Sequence, residues 1–171
     1  MGAAGGSSTA KAETTAQTKP KALIIRWNLY DADGTLTGYQ LAEHNDLGQV
    51  VRWRSYSADG SATGYREYEY NAEGQRIRSP HPTDELFAYE YEYDAQGREV
   101  GMYVVSAEGI RTALTSDYVY NEAGQVIRVN HLQSETNYTE MEYNSEGQHI
   151  RTDYYDNSGN LTGYAIAEYN D

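Results

Sequence analysis

The 171-residue chain has no cysteine, three prolines and few aliphatic residues. The absence of cysteine excludes disulfides, cysteine-ligated zinc and a thiol nucleophile. Leu, Ile, Val and Phe together number 25, and no apolar run approaches the roughly 20 residues that a membrane helix needs. Basic residues are also scarce, with 13 Lys and Arg against 26 Asp and Glu. The chain therefore lacks the positive charge that binding to nucleic acid phosphates requires.

Tyrosine is abundant instead, since the chain holds 18 Tyr and two Trp. A low aliphatic content with a net charge of −13 is typical of disordered chains, but such chains are also poor in aromatic residues. A tyrosine ring can bury a large area while its hydroxyl group keeps a polar partner. We therefore expect a folded protein in which tyrosine supplies most of the apolar burial, around a thin or hollow interior.

Two regions of the chain differ in composition. Residues 1–20, which end in "AETTAQTKP", are small, polar and aperiodic and contain no tyrosine. This composition is typical of a flexible tether. Residues 21–171 hold all of the aromatic residues and form the predicted repeat domain.

A hairpin signature recurs along the repeat domain. It reads "EYNAEGQRI" at 69–77 and "EYDAQGREV" at 92–100, with further copies at 43–51, 119–127 and 142–150 and a partial copy at 168–171. The Asn or Asp that anchors each copy is followed by the next anchor after 26, 23, 27, 23 and 26 residues. The anchors are Asn45, Asn71, Asp94, Asn121, Asn144 and Asn170. Spacing this regular indicates a repeat protein.

Each anchor begins a predicted hairpin turn. Its side chain can accept a hydrogen bond from the backbone two residues on, and a glycine three residues later can adopt a left-handed conformation. Together they predict a type I turn closed by a glycine bulge. A second turn, such as "YDADGTLTGY" at 30–39, separates successive anchors. We therefore predict an all-β antiparallel meander of about twelve strands in one long sheet, twisted or curled, open or spiral, without notable helices and with frayed end strands.

The anchor turn also predicts which side chains share a face of the sheet. If Asn71 pairs with Gln75, Tyr70 faces Arg76 on one side and Glu69 faces Ile77 on the other. The later repeats repeat the second pairing, with Glu92 facing Val100 and Glu142 facing Ile150. One face is then tyrosine with polar or basic residues, and the other mixes acids with branched aliphatic residues.

The segments "AYEYEYDAQGREV" (88–100) and "YREYEYNAEGQRI" (65–77) resemble the YD repeats of bacterial rearrangement-hotspot and wall-associated proteins. The chain is also similar to short tyrosine-rich bacterial surface lipoproteins. These resemblances imply an extracellular bacterial protein anchored at the cell surface, with a lipid anchor upstream of the tether. They favour a non-enzymatic repeat scaffold or interaction module whose partner is a surface protein or a cell-wall glycan.

A weaker resemblance links the segments "YDADGTLTGYQ", "YSADGSATGYR" and "YDNSGNLTGYA" to choline- and glucan-binding cell-wall repeats. Tyr39, Tyr65 and Tyr164 stand where that family has tryptophan. This resemblance implies the alternative function, a carbohydrate or cell-wall binding module.

One feature interrupts the uniformity of the repeats. Trp27 and Trp53 lie 26 residues apart at the same phase of the repeat, and each precedes a pair of tyrosines. Stacking equivalent positions predicts an aromatic shelf suited to a sugar ring or to a partner's side chain. The predicted shelf residues are Trp27, Tyr30, Tyr39, Trp53, Tyr56 and Tyr65. The alternative is that these residues are packing anchors of the first hairpins.

No pattern in the sequence indicates catalysis, a metal or a cofactor. The carboxylates Glu67, Glu69, Glu90 and Glu92 belong to the repeat and are interpreted as a solvated acidic stripe. The four histidines lack metal-ligand spacing and are interpreted as solvated or turn-proximal. The Asp31-Ala-Asp33-Gly34 segment departs from a calcium loop and is interpreted as a turn. We therefore predict that the chain is not an enzyme and holds no cofactor.

Overall fold

A computed structural model describes residues 22–80, 87–132 and 135–170. These residues form fourteen β-strands and no helix, which confirms the all-β prediction. None of them belongs to a helix that is long and apolar enough to cross a membrane. The predicted tether lies outside the described residues. The strands are β1 Ile24–Asp31, β2 Leu36–His44, β3 Val50–Ser57, β4 Ala62–Glu67, β5 Glu69–Tyr70, β6 Arg76–Pro80, β7 Phe87–Tyr93, β8 Glu99–Ser106, β9 Arg111–Ala113, β10 Thr115–Tyr120, β11 Val126–His131, β12 Tyr138–Tyr143, β13 His149–Tyr155 and β14 Leu161–Tyr169.

The strands form two antiparallel sheets, which corrects the expectation of a single sheet. The nine-stranded sheet has the order β10-β11-β12-β13-β14-β1-β2-β3-β4, and the five-stranded sheet has the order β5-β6-β7-β8-β9. The chain passes between them at Tyr68, between β4 and β5, and at Leu114, between β9 and β10. Sheets of more than about ten strands commonly curl or split. At each passage, one strand of the predicted meander is divided into two shorter strands, one in each sheet. Fourteen strands therefore correspond to about twelve predicted ones.

The two ends of the repeat domain meet in the nine-stranded sheet, where β1 pairs with β14. Asn170 donates its backbone N–H to the Leu23 carbonyl at 2.9 Å and accepts the Leu23 N–H on its side chain at 2.5 Å. Each complete anchor turn makes the same two bonds. Strand β1 therefore occupies the place of the strand that would follow the sixth anchor. The end strands lie inside the sheet, which corrects the expectation that they fray.

The anchor turns form as predicted. The Asn71 N–H donates to the Gln75 carbonyl at 3.0 Å, and the Gly74 N–H donates to the Asn71 carbonyl at 3.1 Å. Gly74 has a φ of 81°, in the left-handed region, and the Asn71 side chain accepts the Gln75 N–H at 2.8 Å. The same closing bonds are present at the other complete turns, anchored by Asn45, Asp94, Asn121 and Asn144.

An unpredicted irregularity follows each anchor turn. Tyr70 faces Arg76 as expected, but Glu69 faces Arg78 because Ile77 is left out of the ladder as a bulge. The other predicted acid–aliphatic pairs are replaced in the same way, with Glu92 facing Gly101 instead of Val100 and Glu142 facing Arg151 instead of Ile150. A shift of one residue exchanges the faces of all later side chains. In each of these pairs the acid therefore faces arginine or glycine instead of the predicted aliphatic residue.

We call this charged face of the nine-stranded sheet the outer face. Arg52 forms ion pairs with Glu43 and Glu67 across neighbouring strands. Tyrosine rings on the same face stack in cross-strand pairs at 4.6–4.9 Å between ring centroids, namely Tyr30–Tyr164, Tyr39–Tyr56 and Tyr138–Tyr155. Cross-strand pairs contribute roughly 0.2–1 kcal/mol each. The outer face is therefore stabilised by many small contributions.

A charged cluster joins the two sheets away from the outer face. The Arg76 guanidinium lies 3.9 Å from the centroid of the Tyr91 ring and 3.1 Å from the Glu99 carboxylate. Tyr118, from the nine-stranded sheet, donates its hydroxyl to Glu99 at 2.8 Å. Burial raises the pKa of Tyr91 to about 12. Polar and aromatic groups therefore hold the sheets together where a larger domain would use an aliphatic core.

Candidate functional site

A cavity of about 700 Å³ lies between the two sheets, on the side of the nine-stranded sheet opposite to the outer face. We call this opposite side the inner face, and the space the aromatic cavity. Strands β1 to β4, β13 and β14 of the nine-stranded sheet contribute lining residues, and Tyr89 of β7 contributes from the five-stranded sheet. Ligand sites for small molecules typically have volumes of about 300–1,000 Å³. The aromatic cavity is therefore of a size that suits a small ligand.

Trp27 and Trp53 lie together in this cavity. A repeat step of two strands separates them, so their backbones are roughly 9–10 Å apart. Between them runs β2, where Gln40 faces Trp27 and Ala42 faces Trp53. The same repeat phase thus places both indoles on the inner face, as the 26-residue spacing predicted for the shelf.

Polar side chains surround the two indoles. The Gln40 side-chain amide donates to the Ser55 hydroxyl at 3.2 Å, and both residues line the cavity. Arg66 faces Trp53 across the β3–β4 pair, and its guanidinium lies 4.9 Å from the centroid of the Tyr89 ring. The cavity therefore presents amide, hydroxyl and guanidinium groups next to aromatic ring faces.

His149 forms the wall between the aromatic cavity and a second cavity of about 470 Å³. Its ring packs edge-on against Trp27 at 4.9 Å and stacks with Tyr143 at 5.1 Å. Its Nε2 lies within hydrogen-bond distance of the Arg151 carbonyl, at 3.0 Å, and the Thr152 hydroxyl, at 2.9 Å. Burial lowers the pKa of His149. His149 directly follows the Asn144–Gln148 turn, as interpreted from the sequence, but its half-buried ring packs inside the sheet structure rather than in solvent.

The structure separates the six predicted shelf residues. Trp27 and Trp53 line the aromatic cavity. Tyr65 also contributes to its lining, but it faces Arg54 on the outer face, and the Arg52 guanidinium lies 5.6 Å from its ring centroid. The other three, Tyr30, Tyr39 and Tyr56, lie on the outer face in stacked pairs. Side chains alternate between the two faces of a strand, so these tyrosines cannot share a surface with the tryptophans. The six residues therefore do not form one shelf, and ligand binding by them remains a prediction.

The carboxylates that could resemble a catalytic pair are engaged with arginines. Glu67 pairs with Arg52, Glu69 with Arg78 at 3.8 Å, and Arg111 lies 3.2 Å from Glu90 and 4.0 Å from Glu92. The acidic stripe is therefore charge-paired, and these groups lie outside the aromatic cavity.

The Asp31 segment is a turn. Asp31 accepts hydrogen bonds from the backbone of Asp33 at 3.1 Å and of Thr35 at 2.8 Å. Its carboxylate therefore caps the turn, as interpreted from the sequence.

Sequence reasoning did not identify Gln40, Arg66, Tyr89 or His149 as lining residues of the cavity. Arg66 and Gln40 could have been found from the strand register, because each directly faces one of the tryptophans. The position of Tyr89 at the cavity depends on how the two sheets approach one another. The position of His149 depends on the bulge that follows the Asn144 turn. Neither is encoded in the repeat pattern.

No protein-family model matches the chain, and no curated protein matches it. Among solved structures, a mutant Tc holotoxin pore from Photorhabdus luminescens is 16% identical over 73% of this chain, with a TM-score of 0.36. A crystal structure of TcdB2-TccC3 is 16% identical over 75% of this chain, with a TM-score of 0.37. The chain spans 7% of the length of each of these proteins. Similarity at this level does not establish a family.

Proposed function

We propose that the chain is a non-enzymatic interaction module of the bacterial cell surface, which binds a partner through the aromatic cavity. The observation that carries this proposal is the placement of Trp27 and Trp53 side by side in a cavity of about 700 Å³. Large aromatic rings next to a few hydrogen-bonding groups are typical of binding sites.

The pairing of the acidic residues supports a binding role over a catalytic one. A general acid or base must reach a bound substrate, and its pKa is usually shifted by burial or by a like charge. Glu67 and Glu90 instead form ion pairs with arginines, on surfaces that do not line the cavity. These carboxylates are thus not directed at the proposed binding site.

The surface location in this proposal is supported by the resemblance of residues 65–77 and 88–100 to YD repeats and by the tether-like composition of residues 1–20. Metabolic labelling of the producing bacterium with a palmitate analogue, followed by surface proteolysis, tests it. A labelled protein that external protease removes is the expected result, and an unlabelled protein protected inside intact cells would contradict it.

Carbohydrate or cell-wall binding is the second candidate, and the chemistry of the cavity wall favours it. Gln40 and Ser55 place an amide and a hydroxyl group within the same wall as the two indoles. Sugar rings present apolar faces that stack on aromatic rings and hydroxyl groups that need hydrogen-bond partners. The cavity offers both kinds of contact at one place.

A glycan array combined with a cell-wall pull-down tests both candidates. The double variant Trp27→Ala/Trp53→Ala is expected to lose binding because it removes both ring faces from the cavity. The matched control is Tyr39→Ala/Tyr56→Ala, which removes a stacked pair from the outer face and should leave binding intact. Loss of binding in the control but not in the tryptophan variant would refute the cavity as the site. Hydrolysis of any wall polymer by the purified protein would contradict the non-enzymatic proposal.

A further inference from the structure

We propose that the aromatic cavity binds an acidic sugar, a uronic acid residue of a glycan, with Arg66 contacting its carboxylate and Trp27 and Trp53 contacting ring faces. This proposal rests on the carbohydrate candidate above and names the class of sugar.

The first observation is the separation of charge between the two faces of the nine-stranded sheet. Charged residues paired across its strands lie on the outer face, and they include Arg26, Glu43, Arg52, Glu67, Arg128, Glu140, Glu142, Arg151, Asp153 and Glu168. Arg66 departs from this pattern because it faces Trp53 on the inner face. In a chain with 26 acidic residues, none of the described residues that line the cavity is Asp or Glu. The cavity is therefore a locally basic place in an acidic protein, and its charge complements an anion.

The second observation is the position of the Arg66 guanidinium. It lies 4.9 Å from the centroid of the Tyr89 ring, so it reaches from β4 toward the five-stranded sheet across the cavity. Arg66 is exposed to solvent, and no ion pair joins it to a carboxylate of the described residues. A guanidinium stacked on a ring keeps its in-plane N–H groups available, and these suit bidentate binding of a carboxylate.

The remaining wall favours a ring over an acidic peptide. The two indoles offer flat apolar surfaces about two strand spacings apart. Gln40, Ser55 and Thr152 add an amide and two hydroxyl groups to the wall. The side chain of Asp or Glu carries a carboxylate but no ring face and no hydroxyl groups. A uronic acid carries all three and therefore uses the whole wall.

The experiment measures binding of three probes to the full chain by titration calorimetry. The probes are galacturonic acid oligomers, the same oligomers with their carboxyl groups reduced to alcohols, and poly-glutamate. The oligogalacturonates are expected to bind at least tenfold more tightly than the reduced oligomers, and the difference should shrink as salt is added. Arg66→Gln should abolish the difference, while Arg66→Lys should retain part of it. The control is Arg54→Gln, which removes an arginine of the adjacent strand from the outer face and should change nothing. Urea unfolding of each variant checks that the fold is intact.

Each outcome decides the proposal. Equal binding of the acidic and reduced oligomers, lost in the tryptophan variant, would overturn the acidic-sugar assignment while the carbohydrate candidate stands. Poly-glutamate binding as tight as that of the oligogalacturonates would show charge recognition without ring recognition and also overturn it. Failure of all three probes to bind would overturn it as well, and the cell-wall pull-down would then separately decide the broader interaction role.

Discussion

Joining the two ends of the repeat domain should stabilise it strongly, because β1 already occupies a hairpin position beside β14. In a complete anchor turn four peptide bonds lead from the anchor to the residue that closes the turn, as in Asn45 to Gln49. Leu23 is the equivalent of Gln49 for the sixth anchor, Asn170. A cyclic backbone that begins at Leu23, in which an added Leu-Gly dipeptide joins Asp171 to Leu23, would therefore complete the sixth turn without moving either strand.

The size of the effect follows from the length of the ring. A cross-link that closes a loop on the order of 150 residues removes about 5 kcal/mol of unfolded-chain entropy, provided that the native state is unstrained. The existing bonds between Leu23 and Asn170 indicate that little strain is introduced. With a urea dependence of about 2 kcal/mol per molar, the midpoint of unfolding should rise by roughly 2–3 M.

The assay is urea unfolding followed by tryptophan fluorescence, because Trp27 and Trp53 are both half-buried in the cavity between the sheets and become exposed on unfolding. The control is the linear chain with the same two added residues left unjoined. A second ring, in which Asp171 is joined to Leu23 without the dipeptide, should gain less because the turn is too short. A folded ring with the same midpoint as its linear control would refute the hairpin equivalence of the two ends.

Three further predictions concern stability. Gly38→Ala and Gly163→Ala should each cost about 1–3 kcal/mol of unfolding free energy, because a Cβ would lie 2.4 and 2.6 Å from a backbone carbonyl oxygen. Urea midpoints equal to that of the unsubstituted chain would contradict the crowding. Backbone N–H groups lower the pKa of the Asp94 carboxyl group from 3.8. The stabilising effect of the carboxylate is therefore present above pH 3.8 and is lost as the pH falls through the folded pKa. Asp94→Asn should keep the turn and reduce the slope of unfolding free energy against pH in acid, and an unchanged slope would oppose this. Burial lowers the pKa of His149 from 6.5, so the stability of the fold should fall as the pH drops from 6.5 toward the folded pKa. His149→Phe should flatten that part of the pH–stability curve, measured by thermal unfolding. An unaltered curve would show that the ring is not buried in its neutral form.

The local parts of this fold were predictable from the sequence, and the non-local parts were not. The anchor turns at Asn71 and its equivalents follow from the conformational preferences of Asn and Gly within five residues. The bulge at Ile77 has no such marker, because an aliphatic residue after a turn is equally compatible with a regular ladder. Since one bulge exchanges the two faces, the predicted neighbours of Glu69 were wrong while Tyr70 was placed correctly. The pairing of β1 with β14 depends on the curvature accumulated over the whole meander, which no local pattern specifies.

The two tryptophans of the aromatic cavity coincide with a difference between repeats in the order of large and small residues. In the β7–β8 and β10–β11 hairpins, a tyrosine before the anchor faces a smaller residue after it. Tyr91 faces Met102, and Tyr118 faces Val129. At the tryptophans the order is inverted, since Trp53 faces Ala42 and Trp27 faces Ala167. Tyr91 and Tyr118 contact the Arg76–Glu99 pair and fill the space between the sheets. At the inverted positions the large side chain comes from the strand after the anchor, and both indoles line the aromatic cavity. Alignment of the repeats on their anchors shows this inversion from the sequence, whereas the approach of the five-stranded sheet that brings Tyr89 to the cavity is not encoded in it.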